Sequence, residues 1–337
     1  MGGKDLWKYC TQEQVRTALR SLRLLDGVRI REENYFSCLY AVSNHPERHY
    51  HPASVPKKGG GVRRLLVPDP LLCRIQKNIL RHVLAEFPIS EYAAAYKPGT
   101  SIVENAEPHV GAKELLKLDI RHFFDSITFF QVYGQAFPST CYPPAIRTML
   151  ANLCCCRDSL PQGAPTSPAV SNLVMKPFDE YMGNWCQERG IGYTRYCDDM
   201  TFSGEFDRRE VQNKVRGFLA AYGFELNEQK TRVQKAHQRQ TVTGIVVNEK
   251  PQVSRAYRRK LRAEIHYCSK YGVESHLQRR REGQAPEKER LMEADCVHFL
   301  QQLLGKINYV LQVNPEDTEF CRAKEIVKEM LAERASL

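Results

Sequence analysis

The stretch from Tyr193 to Gly204 constrains this chain more than any other, because it sets Asp198 and Asp199 side by side where the backbone must turn. Residues alternate in character from Tyr193 to Tyr196 and again from Met200 to Ser203. Two short strands are therefore predicted, with a polar tip between them. The tip lacks an Asn-Gly or Asp-Gly pair, although aspartate tolerates turn conformations better than most residues. Adjacent carboxylates repel, and holding both at one point makes sense when a divalent cation sits between them and other ligands. An Asp-Asp pair alone is more often a solvated acidic turn, so the rest of the chain must decide.

A third carboxylate lies in the run Leu115 to Ile127. Leu116, Leu118 and Ile120 share one face of a predicted strand, so Asp119 points the other way with Lys117. Phe123 and Phe124 follow, with Asp125-Ser126 behind them. A lone aspartate on a strand is usually a surface residue, but this one heads an apolar segment and would be costly to bury without a partner. If the two strand elements are neighbours, Asp119, Asp198 and Asp199 meet at one sheet edge. Such a trio suits two magnesium ions roughly 3.5 to 4 Å apart, one activating an attacking hydroxyl and one neutralising a leaving pyrophosphate.

Charge points to the same chemistry. Lys and Arg number 49 against 39 Asp and Glu, a formal net charge of +10 over 337 residues, which favours a polyanionic partner, nucleic acid first. No apolar run reaches the roughly 20 residues of a spanning helix, and Met1 to Cys10 has no signal-peptide core, so a cytoplasmic protein without membrane attachment is expected. The twelve cysteines include no Cys-x-x-Cys pair, and neighbours in the run Cys154-Cys155-Cys156 cannot converge on one tetrahedral metal. Free, buried cysteines in a reducing compartment are the better account.

In chain order, helices are predicted around Val15, Leu19 and Leu22 and around Tyr35, Leu39 and Val42, broken at Asp26-Gly27. The run Lys57-Lys58-Gly59-Gly60-Gly61-Val62-Arg63-Arg64 reads as a basic hairpin whose amides and guanidinium groups could close over a phosphate chain. Pro70 opens a helix. Residues 160–168 form a loop, with Ser167 as N-cap and Pro168 as first residue of a helix that Pro177 should kink and that turns Val170, Leu173, Val174, Phe178, Tyr181 and Trp185 to one face. An amphipathic helix over Val211 to Tyr222 precedes a β segment over Gln240 to Val247. From Ser254, Tyr257, Leu261, Ile265 and Cys268 form an apolar seam, with Arg255, Arg258, Arg259 and Arg262 on the other faces and Glu264 the lone acid there. That surplus favours a phosphate-tracking face. A polar loop, Gln278 to Glu289, and two further helices, Ala294 to Val313 and Glu316 to Ala335, complete a three-helix C-terminal unit.

Together these segments resemble the reverse transcriptases. Leu118-Asp119-Ile120 with Phe123 to Ile127, Leu160 to Pro168 with Ser171-Asn172-Leu173, Tyr196-Cys197-Asp198-Asp199, and Leu226-Asn227-x-x-Lys230-Thr231 are similar to successive motifs of that family in their usual order. Asn105-Ala106-Glu107-Pro108-His109 and Val242-Thr243-Gly244 are similar to signatures of its bacterial retron branch. The resemblance covers about residues 50–320.

It implies an α+β, right-hand polymerase: a helical extension over 1–50, fingers over 51–112 with a returning segment about 130–160, a palm of antiparallel sheet plus helices over 113–248, and a helical thumb over 249–337. Asp119, Asp198 and Asp199 would be the catalytic carboxylates binding two Mg²⁺, with the Ile120 carbonyl a further ligand. Phe124 would be an aromatic gate against the ribonucleotide 2′-hydroxyl. Gln162 and Gly163 would touch the incoming nucleotide, Arg63 or Arg64 its triphosphate, and Lys230 the reacting phosphates. Cys197 replaces an alanine commoner in the branch, which implies altered primer-end contact or fidelity rather than loss of activity. Asn105 and His109, with Val242 to Gly244, would serve RNA recognition or the fold, and Arg255, Arg258, Arg259 and Arg262 would face the template and primer duplex. The partners implied are a structured noncoding RNA, its DNA product, deoxynucleoside triphosphates and an effector protein. A chain ending soon after the thumb leaves no expected room for an appended endonuclease domain.

Overall fold

The computed structural model describes residues 7–57, 60–97, 99–281 and 293–335. Residues 1–6, Lys58 and Gly59 of the basic hairpin, and residues 282–289 of the predicted polar loop lie outside the described residues. The chain divides into two compact units, Met1–Thr100 with Leu116–Val233, and Ser101–Leu115 with Gln234–Leu337. The expected boundaries of extension, fingers, palm and thumb do not coincide with this division. Val242, Ile245 and Val247 are buried in one core with Ala106 and Leu115, whereas Leu118 and Ile120 belong to another.

In the first unit, Thr11 and Gln14 form a capping box that starts the helix Gln12–Ser21, and a second helix follows over Tyr35–Asn44. Both expected helices are present, and their Leu19, Leu39 and Val42 enter a core with Ile75 and Ile79 of the helix Pro70–His82. Asp69 starts that last helix, its Oδ1 accepting the Leu72 amide at 2.8 Å. Strands β1 (Tyr50–Pro56) and β2 (Val62–Pro68) form an antiparallel hairpin with Val55 opposite Arg63 and Ser54 opposite Arg64.

The catalytic candidates lie on a five-stranded sheet made by β3 (Glu114–Arg121), β4 (Gly192–Tyr196), β5 (Asp199–Gly204), β6 (Glu225–Leu226) and β7 (Arg232–Lys235). Its order is β4-β5-β3-β6, with β7 also paired to β3. Tyr196 opposes Asp199 across the β4–β5 hairpin, which leaves Cys197 and Asp198 as the two turn residues. The strand carrying Asp119 thus has the Asp198-Asp199 hairpin as its neighbour, as the sequence requires for the three to meet. β3 is buried on both faces, so Asp119, 4% exposed, does not face solvent.

The helix Ser167–Gln187 begins one residue earlier than predicted. Thr166 is its N-cap, and Ser167 instead donates its hydroxyl to the Pro161 carbonyl at 2.8 Å, tying the helix start to the preceding loop. The helix continues through Pro177. Val170, Val174 and Phe178 are buried as predicted, whereas Tyr181 is exposed and packs on Phe218 of the helix Arg208–Ala221, with ring centroids 5.1 Å apart. Gly183 is a required glycine, because a Cβ there would fall 2.0 Å from the Tyr92 ring.

In the second unit the predicted β segment over 240–247 is a tight hairpin of β8 (Thr241–Val242) and β9 (Ile245–Val246), with Thr243 and Gly244 both at positive φ in its turn. Ser254 caps the helix Arg255–Tyr271, and its Leu261, Ile265 and Cys268 are buried as the seam predicts. A helix missed in the sequence, Val273–Arg281, comes next, then Glu293–Val313 and Thr318–Ala335, so this C-terminal region has four helices among the described residues. Antiparallel sheets and helices together make the α+β class expected. Cys154, Cys155 and Cys156 are buried free thiols, and burial pushes the Cys154 thiol up to about 12. Among the described residues no helix is long and apolar enough to cross a membrane.

Candidate active site

Six stretches of the first unit, around 57–64, Tyr96, 119–125, Gln162, 196–199 and 226–230, build one cavity of about 880 Å³. Its lining includes Asp119, Ile120, Asp198, Asp199, Cys197, Phe124, Gln162, Lys230, Arg63 and Arg64, ten of the residues singled out in the sequence. Backbone bonds fix their relative places. The Ile120 amide donates to the Asp198 carbonyl at 3.0 Å, and the Asn227 amide donates to the Asp119 carbonyl at 2.8 Å. From Asn227 a short 3₁₀ turn, Glu228–Lys230, carries Lys230 back over the carboxylates.

Lys230 Nζ donates to Asp119 Oδ2 at 2.7 Å. Burial lowers the lysine pKa, but the hydrogen bond and charge of Asp119, with Asp198 and Asp199, outweigh it and hold the ammonium above its ordinary value. One lysine does not neutralise the cluster. Asp119 Oδ1 is buried without a hydrogen-bond partner among the described residues. Asp198 is raised, first by burial and then by the charge of Asp119. Asp199 is exposed at the rim, yet burial of its surroundings and the Asp198 charge push it up to about 6 against the opposing pull of Lys117. An orphaned buried carboxylate oxygen and two carboxylates resisting ionisation are what a site short of positive charge shows. The donors are oxygens, so the residues present fit a hard divalent cation better than a soft one.

The turn itself carries strain in a place the sequence did not indicate. Cys197, not an aspartate, adopts positive φ, +60°, where a side chain is disfavoured. Arg195 holds it there. Fully buried, this arginine donates through Nη1 to the Cys197 carbonyl at 2.9 Å and grips both oxygens of buried Asp179 at 2.8 and 2.6 Å. Nη2 also reaches Asn172 Oδ1 at 3.2 Å, and Asn172 donates to the Ala95 carbonyl at 2.8 Å. Arg195 and Asp179 were missed, since alternation around a turn predicts the partner of an inward arginine only once the long helix is placed beside the strand. Tyr96 was missed as well. It lines the cavity, and its hydroxyl lies 3.8 Å from Cys197 Sγ.

The β1–β2 hairpin contributes Arg63, Arg64 and Lys57 to the lining of the same cavity. It is pinned to the 160–168 loop by a 2.8 Å bond from the Leu66 amide to the Gln162 carbonyl. Gly163 serves that junction. Its φ is +126°, and a Cβ there would stand 2.7 Å from the Leu66 carbonyl oxygen, so a side chain would push the hairpin away. Phe124 sits half-buried in the lining, edge-on to Phe123 with centroids 5.3 Å apart.

The other predicted residues lie in the second unit. Asn105 and His109 are buried, 1% and 0% exposed, and Asn105 Nδ2 donates to Thr243 Oγ1 at 3.4 Å. The two retron-like signatures therefore meet each other inside that unit. In the Arg255–Tyr271 helix, the reading of four arginines beside a single acid is corrected. Arg258 pairs with Asp317 at 2.6 Å and Arg262 makes a two-pronged contact with Glu319, acids supplied by the final helix and the turn before it. Glu264 is itself buried and held by Lys306 at 2.7 Å. Arg255 and Arg259 are exposed.

The match to known proteins agrees with this geometry. Residues 55–254 match the family model described as reverse transcriptase (RNA-dependent DNA polymerase). The chain is 35% identical over 294 residues to the Retron Mx65 reverse transcriptase of Myxococcus xanthus, covering 81% of this chain and 63% of that protein. It is 34% identical over 237 residues to the Retron Ec86 reverse transcriptase of Escherichia coli, covering 68% of this chain and 73% of that one. A third relative, the Retron Ec83 reverse transcriptase of Escherichia coli, is 31% identical over 234 residues, covering 65% of this chain and 75% of its own length. The chain thus spans under two thirds of the first of these relatives and about three quarters of the other two. By the family model and by these relatives, the chain belongs to the reverse transcriptases, the RNA-dependent DNA polymerases, and among them to the retron enzymes.

Proposed function

We propose that this protein synthesises DNA on an RNA template, binding a structured noncoding RNA, priming from one of its 2′-hydroxyls and copying a portion of it into single-stranded, branched DNA. The observation that carries the reading is the meeting of Asp119, Asp198 and Asp199 in one cavity that Lys57, Arg63, Arg64 and Lys230 also line. Asp119, Asp198, Asp199 and the Ile120 carbonyl would hold two Mg²⁺ ions. Bound there, magnesium supplies activation of the attacking hydroxyl and neutralisation of the leaving pyrophosphate. The chain's own groups supply the rest. Arg63 and Arg64 bind the triphosphate of a deoxynucleotide, Gln162 positions it, and Lys230, kept charged by Asp119, faces the reacting phosphates. In this reading β1–β2 belongs to the fingers, the five-stranded sheet to the palm and the C-terminal helices to the thumb. Retron membership supports a role in defence against phage beside an effector protein.

The test is to express the chain with its native flanking DNA and sequence the nucleic acid that copurifies, with Asp198→Ala/Asp199→Ala as control. A short DNA of unique sequence, linked 2′,5′ to RNA and absent from the control, is the expected product. RNA alone in both samples would replace the reading with a scaffold role, and DNA of no fixed sequence with untemplated synthesis.

Phe124 is proposed as the sugar gate, since its half-buried ring lines the cavity beside the carboxylates. Phe124→Ala should raise ribonucleotide incorporation by about tenfold or more, a contact worth a few kcal/mol. Steady-state incorporation of matched ribo- and deoxynucleotides measures it, and an unchanged ratio removes Phe124 from that role.

A further inference from the structure

Away from the carboxylates, the second unit carries a cavity of about 560 Å³ lined by Tyr267, Tyr271, Ser275, His276, Arg279 and Arg280. Its organisation is that of a ladder of rings. Tyr267 lies nearly parallel to Tyr271, with centroids 5.9 Å apart and planes at 28°, and nearly parallel to His276, at 6.0 Å and 15°. His276 in turn packs on Phe299 at 5.5 Å, so the inner end of the ladder is anchored in the helical core. The outer end is open: Tyr267 is 41% and Tyr271 54% exposed.

The two tyrosines leave adjacent apolar ring surface open to water. Helical geometry explains why they are presented together. Tyr267 and Tyr271 are four residues apart on the helix Arg255–Tyr271, and the sharp junction into Val273–Arg281 brings His276, Arg279 and Arg280 back beside them. The surroundings are cationic. Lys270 Nζ lies 5.2 Å from the Tyr271 ring centroid, Arg279 is exposed, and the Arg280 guanidinium stands over Phe299 at 5.6 Å. The nearby acids are already engaged, Glu264 by Lys306 and, at 3.9 Å, by Arg280, and Glu274 by Arg334, which leaves Lys270 and Arg279 as the cations at the open end. Within the ladder His276 Nε2 is buried without a hydrogen-bond partner among the described residues, and burial followed by the Arg280 charge lowers the imidazole pKa, leaving it neutral.

Exposed tyrosine rings with cations at their rim are complementary to one ligand chemistry, an unpaired nucleotide. Its base has a π-face for the exposed tyrosine end of the ladder, and its phosphates suit Lys270 and Arg279. A duplex offers no such face, because its bases are stacked on one another. We infer that this ladder is a docking site for unpaired nucleotides of a single-stranded nucleic acid, separate from the carboxylate cavity. The inference rests on the reading of the protein as a nucleic-acid enzyme and adds to it a second contact point.

The experiment uses the full chain and a fluorescent oligouridine, with a blunt RNA duplex as comparison. Tyr267→Leu and Tyr271→Leu should each weaken oligouridine binding by about tenfold, as loss of one base–aromatic stack does. Tyr271→Phe, which keeps the ring, should bind as wild type does. Duplex binding and DNA synthesis on a preannealed RNA template and DNA primer should change by less than about twofold. A 4-thiouridine-containing oligouridine should crosslink within residues 267–280. Oligothymidine of equal length separates the two sources: tighter binding of oligouridine assigns the site to RNA, and tighter binding of oligothymidine to the DNA product. Unchanged oligouridine affinity in both leucine variants, or equal weakening of duplex binding, overturns the inference. Absence of DNA synthesis by the wild-type chain would instead overturn the polymerase reading, which the binding and crosslinking readouts do not depend on.

Discussion

Asp199→Asn should reduce DNA synthesis by about a thousandfold or more while leaving RNA binding within about twofold, because it removes charge where a transferring phosphoryl group is stabilised and keeps the size and shape of the side chain at the cavity rim. The same substitution should make the protein without divalent metal more stable. Asp199 is pushed up to about 6 by burial and by Asp198, so its ionised form is disfavoured in the folded chain. A carboxylate whose folded pKa lies above its unfolded value contributes stability below the unfolded pKa. That contribution is lost as pH rises through the folded value, here between about pH 4 and about pH 6. At about pH 7.5 wild type therefore bears a repulsion that the asparagine lacks. Its melting temperature in EDTA should be lower than the variant's, and the gap should narrow toward about pH 5. Added magnesium should reverse the order, raising the wild-type melting temperature and scarcely moving the variant. Wild-type rates of synthesis by the variant would remove Asp199 from the site. A variant less stable than wild type in EDTA at neutral pH would refute the crowding of charge inferred around Asp119 and Asp198.

That prediction depends on a contact the sequence made legible and on an energy it did not. Alternation around Asp198-Asp199 and the apolar run around Asp119 put the three carboxylates on strand elements, and the fold supplies the condition the sequence left open, that those strands are neighbours. The Leu226 to Thr231 motif assigned Lys230, by resemblance, to the reacting phosphates, and its 2.7 Å bond to Asp119 shows only in the folded unit. What was hidden depends on partners far away in sequence. Arg258 and Arg262 read as free phosphate contacts because their helix holds one acid, yet Asp317 and Glu319 reach them from more than fifty residues on. Gly163 read as a nucleotide contact, while its lack of a side chain is what allows the Leu66 carbonyl to approach. Asn105 and Thr243 showed as two separate signatures, and only the folded second unit reveals that they touch. The helix Val273–Arg281 escaped notice because it is polar almost throughout, so no apolar period announced it.

Arg195→Met should destabilise the first unit by about 3–5 kcal/mol, the cost of leaving one member of a buried ion pair without its partner. Both side chains are fully buried, so water cannot take the place of the lost guanidinium without opening the core. Removing it strands Asp179, whose oxygens accept two bonds from Arg195 and one from the Tyr193 hydroxyl at 3.0 Å. It also frees the Cys197 carbonyl, the acceptor that keeps the turn residue at positive φ beneath Asp198. Two effects should then separate. Stability should be largely recovered by adding Asp179→Leu, because an apolar pair of similar volume has no charge left to strand. Activity should not be recovered, because neither methionine nor leucine can hold the Cys197 carbonyl, and the aspartate tip would lose its fixed register against Ile120. Denaturant unfolding followed by tryptophan fluorescence measures the first effect, since Trp7 and Trp185 both lie in this unit. Primer extension measures the second. A double variant that regains both stability and synthesis would show that Arg195 serves packing alone. A single variant as stable as wild type would show that the pair does not support the turn at all.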